Sequence, residues 1–205
     1  MPASLKLIVG LGNPGPEYSE TRHNAGFWFL DRLAADHHAA FAFDRKFHGE
    51  IARLVTDNVD CRLLKPSTFM NNSGRAVQAA SDYYGVSPEQ ILVVHDEIDL
   101  ENAVIRLKQG GGHGGHNGLR DIIEQTGQKD FLRLRIGVGH PGHSSKVHGY
   151  VLSRPSSEQR RQLDQSIDDA LSVMPLLYKV EQNKAMSTLH TVKKSSSDSK
   201  QQESE

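Results

Sequence analysis

Two short apolar runs constrain this chain more than any other feature. Leu5 to Gly10 reads LKLIVG and Ile91 to Val94 reads ILVV. Both are too short to be independent helices, are rich in Leu, Ile and Val, and end in polar or glycine-rich segments. A strand covered on both faces has this signature, because it needs apolar side chains at consecutive rather than alternate positions. Such strands require helices above and below the sheet. The spacing supplies them: residues 24–35 carry Phe27, Leu30, Leu33 and Ala34 on one helical stripe. Ser73 is placed to cap a helix over 74–84, with Gly85 at its C-terminal turn. Leu119, Ile122 and Ile123 mark another helix. Ser156 and Gln159 open a long amphipathic one through Leu163, Ile167, Leu171 and Met174, kinked at Pro175.

Further strands fit between these helices. Residues 51–55 and 61–64 flank Asp57-Asn58-Val59-Asp60 as a hairpin, and Pro66 ends its second arm. Ser87-Pro88-Glu89-Gln90 has the pattern of a capping box just before the run at 91–94. Residues 104–108 form a strand, and Leu132, Leu134, Ile136 and Val138 alternate as a half-buried one. The expected architecture is one α/β domain, a twisted, mostly parallel but mixed β-sheet sandwiched between α-helices, over residues 1–192. The segment 193–205 (KKSSSDSKQQESE) has no apolar side chain and is expected to be a disordered polar tail.

At 205 residues, a single core needs neither disulfide nor metal. One cysteine, Cys61, excludes a disulfide framework and a cysteine-based zinc site. Its neighbours Leu63 and Leu64 make it a small core residue. No apolar run approaches the ~18 residues of a membrane span, and the N-terminus enters a strand pattern without signal-peptide architecture. These features predict a soluble protein of a reducing compartment, with no membrane partner. The net charge is only −1, but residues 106–148 hold seven basic side chains against three acidic ones. Such a local surplus suits a polyanion gripped at one place, or simply a solvated face.

Gly10-Leu11-Gly12-Asn13-Pro14-Gly15 fits the G-x-G-x-x-G pattern after a strand. A dinucleotide site requires a helix to start inside that pattern, and Pro14 and Pro16 oppose it. Asp31, about 20 residues on, falls inside a helix rather than at a strand end. His113 and His116 have an i, i+3 spacing that invites a metal reading, but no third ligand follows at a recognisable interval. His23 opens a helix, and His95-Asp96 ends a buried strand, where α/β sheets place their chemistry. Asn13, Asn71, Asn72 and Asn117 sit in loops. Turn chemistry alone would explain them, yet amides in glycine-rich loops also suit a neutral amide substrate such as a peptide.

Taken together, LIVGLGNPG (7–15), Tyr18 with TRHNAG (21–26), KPSTFMNNSG (65–74), HDEIDL (95–100), GGGHGGHNGL (110–119) and RLRIGVGHPG (133–142) resemble bacterial peptidyl-tRNA hydrolases, in the same order, over roughly residues 5–190. The resemblance implies a cytoplasmic monomer without cofactor or metal. Such an enzyme hydrolyses the ester between a peptide and the 3′ end of tRNA, engaging the acceptor stem, the CCA end and the attached peptide. It implies His23 as general base, Asp96 as the carboxylate that orients it, and Asn13 as the residue that selects N-blocked substrates. It also implies Tyr18, Phe69, Asn71 and Asn117 as substrate contacts with Met70 and His116 beside them, and Lys108 and Arg135 as phosphate-binding positions. The loop after His140-Pro141-Gly142 continues His143-Ser144-Ser145-Lys146, less basic than in many relatives. A non-catalytic RNA-binding module on the same fold is the competing reading, against which the joint presence of His23, Asp96 and Asn13 argues. A nicotinamide-dependent oxidoreductase is the other.

Overall fold

The computed structural model describes residues 3–56 and 59–189. Seven strands form one sheet: β1 (Leu7–Gly10), β2 (Ala42–Asp44), β3 (Gly49–Thr56), β4 (Val59–Pro66), β5 (Ile91–Glu97), β6 (Ile105–Gln109) and β7 (Leu132–Gly137). Their spatial order is β2-β3-β4-β1-β5-β7-β6. The central four, β4-β1-β5-β7, run parallel, while β3 and β2 on one flank and β6 on the other are antiparallel to their neighbours. The two apolar runs of the sequence are the two innermost strands, paired Leu7 with Ile91 through Gly10 with Val94.

Both faces of those strands are covered, which is why the runs do not alternate. Ile8, Leu92 and Val94 face a layer with Phe29, Leu30 and Leu33 of α1 (Ala25–Asp36) and Leu163 and Ile167 of α5 (Ser157–Ser172). Leu7, Val9 and Val93 face Ala76, Val77 and Ala80 of α2 (Ser73–Tyr84) and Leu119 and Ile122 of α3 (Asn117–Thr126). On the outer strands the second face changes character. β6 and β7 present Arg106, Lys108, Arg133 and Arg135 there, opposite the apolar Ile105, Leu107, Leu134 and Ile136. On that face Arg133 is buried beneath the loop of Gly111 and Gly112, while Lys108 is exposed.

Several local expectations need correction. Ser73 is the first helical residue of α2 rather than its cap, and its hydroxyl donates to the Met70 carbonyl. Gly85 does close the helix in the left-handed region, at φ 62°. No helix runs on through to a kink at Pro175; α5 ends at Ser172 and a separate short helix, α6 (Met174–Tyr178), begins with Pro175 in its first turn. Proline has no N–H to donate, so a first turn tolerates it where a helix interior does not. The three-residue edge strand β2 has no apolar signature and went unread in the sequence. Residues 57 and 58 of the expected hairpin turn, and the expected tail at 193–205, lie outside the described residues.

The first glycine pattern serves packing. No helix starts within it; a 3-10 turn at Arg22–Asn24 precedes α1. A Cβ on Gly10 would collide with the Gly26 carbonyl, and one on Gly26 with the Leu11 nitrogen and the Val94 carbonyl. The glycines therefore let the start of α1 press against the ends of β1 and β5. Asp31 is held by Lys65 on β4, 2.7 Å away. These two positions rule out the arrangement a dinucleotide would need.

Candidate active site

That close approach of α1 to the sheet delivers His23 to the end of β5. The His23 Nδ1 lies 2.8 Å from Asp96 Oδ1 and 3.0 Å from Oδ2. His116 Nε2 lies 3.0 Å from the same Oδ1. His116 caps α3, and its Nδ1 accepts from the Gly118 and Leu119 amides. A nitrogen that accepts carries no proton, so the His116 proton is on Nε2 and points at Asp96. Asp96, 2% exposed, thus accepts from two imidazoles. Burial opposes its charge, but those two rings outweigh burial and hold the carboxyl well below the usual carboxylate range.

For His23, burial likewise disfavours the cation, and the Asp96 carboxylate more than offsets it; the net pKa is raised above the ordinary 6.5. With Nδ1–H donating to Asp96, the other ring nitrogen, Nε2, carries the free lone pair. The ring borders two cavities. One of about 420 Å³ runs past Glu97, Gly114, Asn117 and Val147. The other, of about 320 Å³, is bounded by Asn13, Tyr18, Phe69, Met70, Asn71 and Asn117. All the positions implied as substrate contacts therefore meet around His23, drawn from three separate chain segments.

Asn13 is fixed as firmly as the histidine. Its backbone N–H donates to Asn24 Oδ1 and its carbonyl accepts from Asn24 Nδ2, both at 2.9 Å. Its side-chain oxygen accepts from the Met70 N–H at 2.7 Å. That last bond orients the amide so that Nδ2 is left to donate towards the cavity. Around this centre the rim is looser. Phe69 is 56% exposed and meets Tyr18 edge-on at 6.2 Å. Asn71 and Asn117 are exposed; Asn117 Oδ1 accepts from Arg120, which turns its NH₂ outward.

The two basic positions stand apart from the cavities, on the basic flank of the sheet. Lys108 is exposed on β6. Arg135 on β7 gives its Nε to Glu97 at 2.9 Å. Arg133 is buried and spends its guanidinium on the carbonyls of Gly111, Gly112 and Lys129, tying down the glycine-rich loop before α3.

Two contributors escaped sequence reasoning. Asn24 stands next to His23 in the sequence, but nothing local marks it as the partner of Asn13. Arg22 binds the carbonyls of Ser153 and Arg154 and the Ser153 hydroxyl, and its guanidinium lies over the Tyr150 ring at 4.2 Å. It thereby fastens the end of α4 (Val147–Val151), whose Val147, His148 and Val151 wall the larger cavity. His95, fully buried, donates from Nδ1 to the Asp96 carbonyl, and its Nε2 has no partner. Burial, with His116 nearby, pushes its pKa down to about 3.

The histidines of the metal reading and Cys61 have definite surroundings. His113 accepts from the Gly115 amide in its own turn and does not join His116 in a ligand set. His23, Asp96 and His116 do bring three ligand atoms within 4.8 Å of one another, but in this arrangement both imidazole nitrogens facing Asp96 carry hydrogen. Burial pushes the Cys61 thiol up to about 12, so it is no nucleophile.

A family model for peptidyl-tRNA hydrolase matches residues 7–198. The chain belongs to the peptidyl-tRNA hydrolase family. It is 53% identical to the peptidyl-tRNA hydrolase of Halorhodospira halophila over 90% of this chain and 95% of that one. Against the peptidyl-tRNA hydrolase of Neisseria gonorrhoeae it is 51% identical, over 93% of this chain and the whole of the relative. The crystal structure of the Acinetobacter baumannii peptidyl-tRNA hydrolase superposes with a TM-score of 0.88 at 50% identity, covering 90% of this chain and 94% of that chain. No described helix is long and apolar enough to cross a membrane.

Proposed function

We propose that this peptidyl-tRNA hydrolase cleaves the ester joining a peptide to the 3′-terminal ribose of tRNA by water that His23 deprotonates, releasing tRNA and peptide. The observation that carries the reading is the double anchoring of Asp96. His116 takes one share of the carboxylate, and His23 Nδ1–H the other, so the His23 tautomer is fixed with its basic nitrogen Nε2 on the cavity side.

An ester is activated enough for direct attack by water, so no covalent intermediate is needed. As the water proton moves to Nε2, the imidazolium that forms faces a carboxylate already ionised, the logic of hydrolase triads without a serine. General-base assistance of this kind contributes roughly 10²- to 10⁴-fold. The developing oxyanion needs donors placed before the reaction; the outward NH₂ of Asn117, Asn71 and loop amides are the candidates. Asn13 Nδ2 reads the acyl side. A donor there favours the carbonyl of an N-blocked residue and offers nothing to a free ammonium group, which would supply only donors of its own. Tyr18, Phe69 and Met70 give the esterified residue apolar contact.

The polyanion lies along the basic flank. Lys108 and the free nitrogens of Arg135 bind phosphates of the acceptor stem, with the CCA end reaching the cavities. The enzyme acts as a monomer, through the domain 1–192 and without cofactor. Its substrate is made by ribosomes, which supports action in the cytoplasm.

Incubation with N-acetyl-aminoacyl-tRNA and with its unblocked counterpart tests the reading. Release of the blocked residue alone is expected. Release from neither, or equal release from both, overturns it.

A further inference from the structure

A third cleft, of about 380 Å³, opens on the far side of Asn13 from His23. Its walls come from the loop after β1, from α1 and from the β2-β3-β4 flank: Asn13, Phe27, Trp28, Asp31, Phe43 and Glu50 are the ones that matter. Asn13 also borders the catalytic cavity, so the two spaces adjoin across a single amide. We propose that this cleft is a subsite for the residues of the peptide that precede the esterified one. The inference rests on the hydrolase reading above and adds a direction to it.

The sheet order supports this direction. His23 and Asp96 sit over the ends of β1 and β5. On one side of them lie β7 and β6 with Lys108, Arg106 and Arg135. On the other side lie β4, β3 and β2, and the cleft. An acyl carbon beside His23 is bonded to ribose oxygen on one side and to peptide on the other. If the RNA takes the basic flank, the peptide leaves by the opposite one.

The chemistry of the cleft agrees. No Lys, Arg or His is among its lining residues, and two carboxylates, Asp31 and Glu50, are. Two nearby cations are withdrawn: the Lys65 ammonium is 2.7 Å from Asp31 and 3.1 Å from Glu50 and lies over the Phe41 ring, and Arg160, over the Trp28 ring, is paired with Glu20 and Asp164. Phosphate would meet repulsion here. A peptide meets aromatic surface from Phe27 and Trp28, and at the outer end Phe43, 65% exposed on the edge strand β2. An exposed phenylalanine on a sheet edge is a liability unless something binds it. Favoured upstream residues are therefore apolar or basic, with acidic ones disfavoured.

The test uses one tRNA and one esterified residue, presented either as the N-acetyl-aminoacyl ester or as an N-acetylated tetrapeptidyl ester. In the Phe43→Ala protein, kcat/KM for the tetrapeptidyl substrate is expected to fall roughly fivefold, as loss of an aromatic contact would give, while the short substrate changes less than about twofold. Ser67→Trp, which fills the cleft from another wall, should repeat the pattern. Equal losses on both substrates with a flatter salt dependence would assign the cleft to RNA and overturn the proposal. No loss on either substrate in both variants would overturn it as well. Failure of the unaltered protein to cleave either ester would instead strike the hydrolase reading itself.

Discussion

The centre of the site and its rim are built on opposite principles. At the centre, Asn13, His23, Asn24 and Asp96 are buried; Asn13, Asn24 and Asp96 each make more than one hydrogen bond, and His23 is held through Nδ1 by Asp96. At the rim, Phe69, Asn71, Asn117 and Lys108 are exposed and lightly held. The contrast teaches where geometry has to be fixed. A proton transfer loses rate when its partners shift by a fraction of an ångström, and under the proposed mechanism the locked groups are the ones that handle the proton. Groups that hold many different peptides and tRNAs gain from freedom to adjust.

The sharpest way to break the contrast is at the locked centre. His23→Ala should lower kcat by about 10³-fold while tRNA binding, measured by filter retention, persists. Parallel loss of both would make His23 a structural residue. Asn24→Ala removes two bonds to the Asn13 backbone and leaves a buried donor and acceptor without partners, at about 1–3 kcal/mol each. Thermal unfolding should reveal the lower stability, and kcat should fall with it because Asn13 loses its seat. A change in neither would place the rigidity of Asn13 elsewhere, in its bond to Met70.

Proton uptake at His23 gives the next effect. Its pKa is raised, and the neutral form is the base, so kcat/KM should rise with pH and level off above that value, falling about tenfold per unit on the acid side. An inflection below 6.5 would contradict the Asp96 pairing. Rim substitutions should matter least. Lys108→Ala should weaken tRNA binding a few-fold and lower the slope of log affinity against log salt by about one, with kcat preserved. Chelators should leave turnover unchanged; loss with EDTA and recovery with zinc would reopen His23, Asp96 and His116 as ligands.

Much of this was legible in the sequence, for identifiable reasons. Strands β1 and β5 announce themselves because both faces are covered, and His95-Asp96 marks a strand end directly. His23, Asp96, Asn13, Asn71 and Asn117 stood out as residues, and the order of the motifs supplied the family, their roles and the remaining candidates. What stayed hidden depends on meetings between distant segments. Asn24 and Asn13 are eleven residues apart and pair only because glycines at 10 and 26 bring α1 against β1. Arg22 reaches residues more than 120 positions away. The short strand β2 carries no periodicity, since an edge strand of three residues has too few positions to show one. Ser73 misled because a serine before a helical run fits a cap by pattern, whereas the chain turns one residue sooner.

The imidazole of His95 carries a consequence beyond the reaction. Enclosed, uncharged and with Nε2 unmatched, it resists protonation until about pH 3 in the folded chain, whereas a random coil takes up that proton near 6.5. The coil therefore binds more hydrogen ions than the native form throughout that interval. Its contribution to stability is complete above 6.5 and drains steadily as the solution is acidified towards 3. The residue directly before the carboxylate thus sets an acid limit on the scaffold, and mild acid should unfold the His95→Gln variant less readily, relative to its neutral-pH stability, than the parent chain.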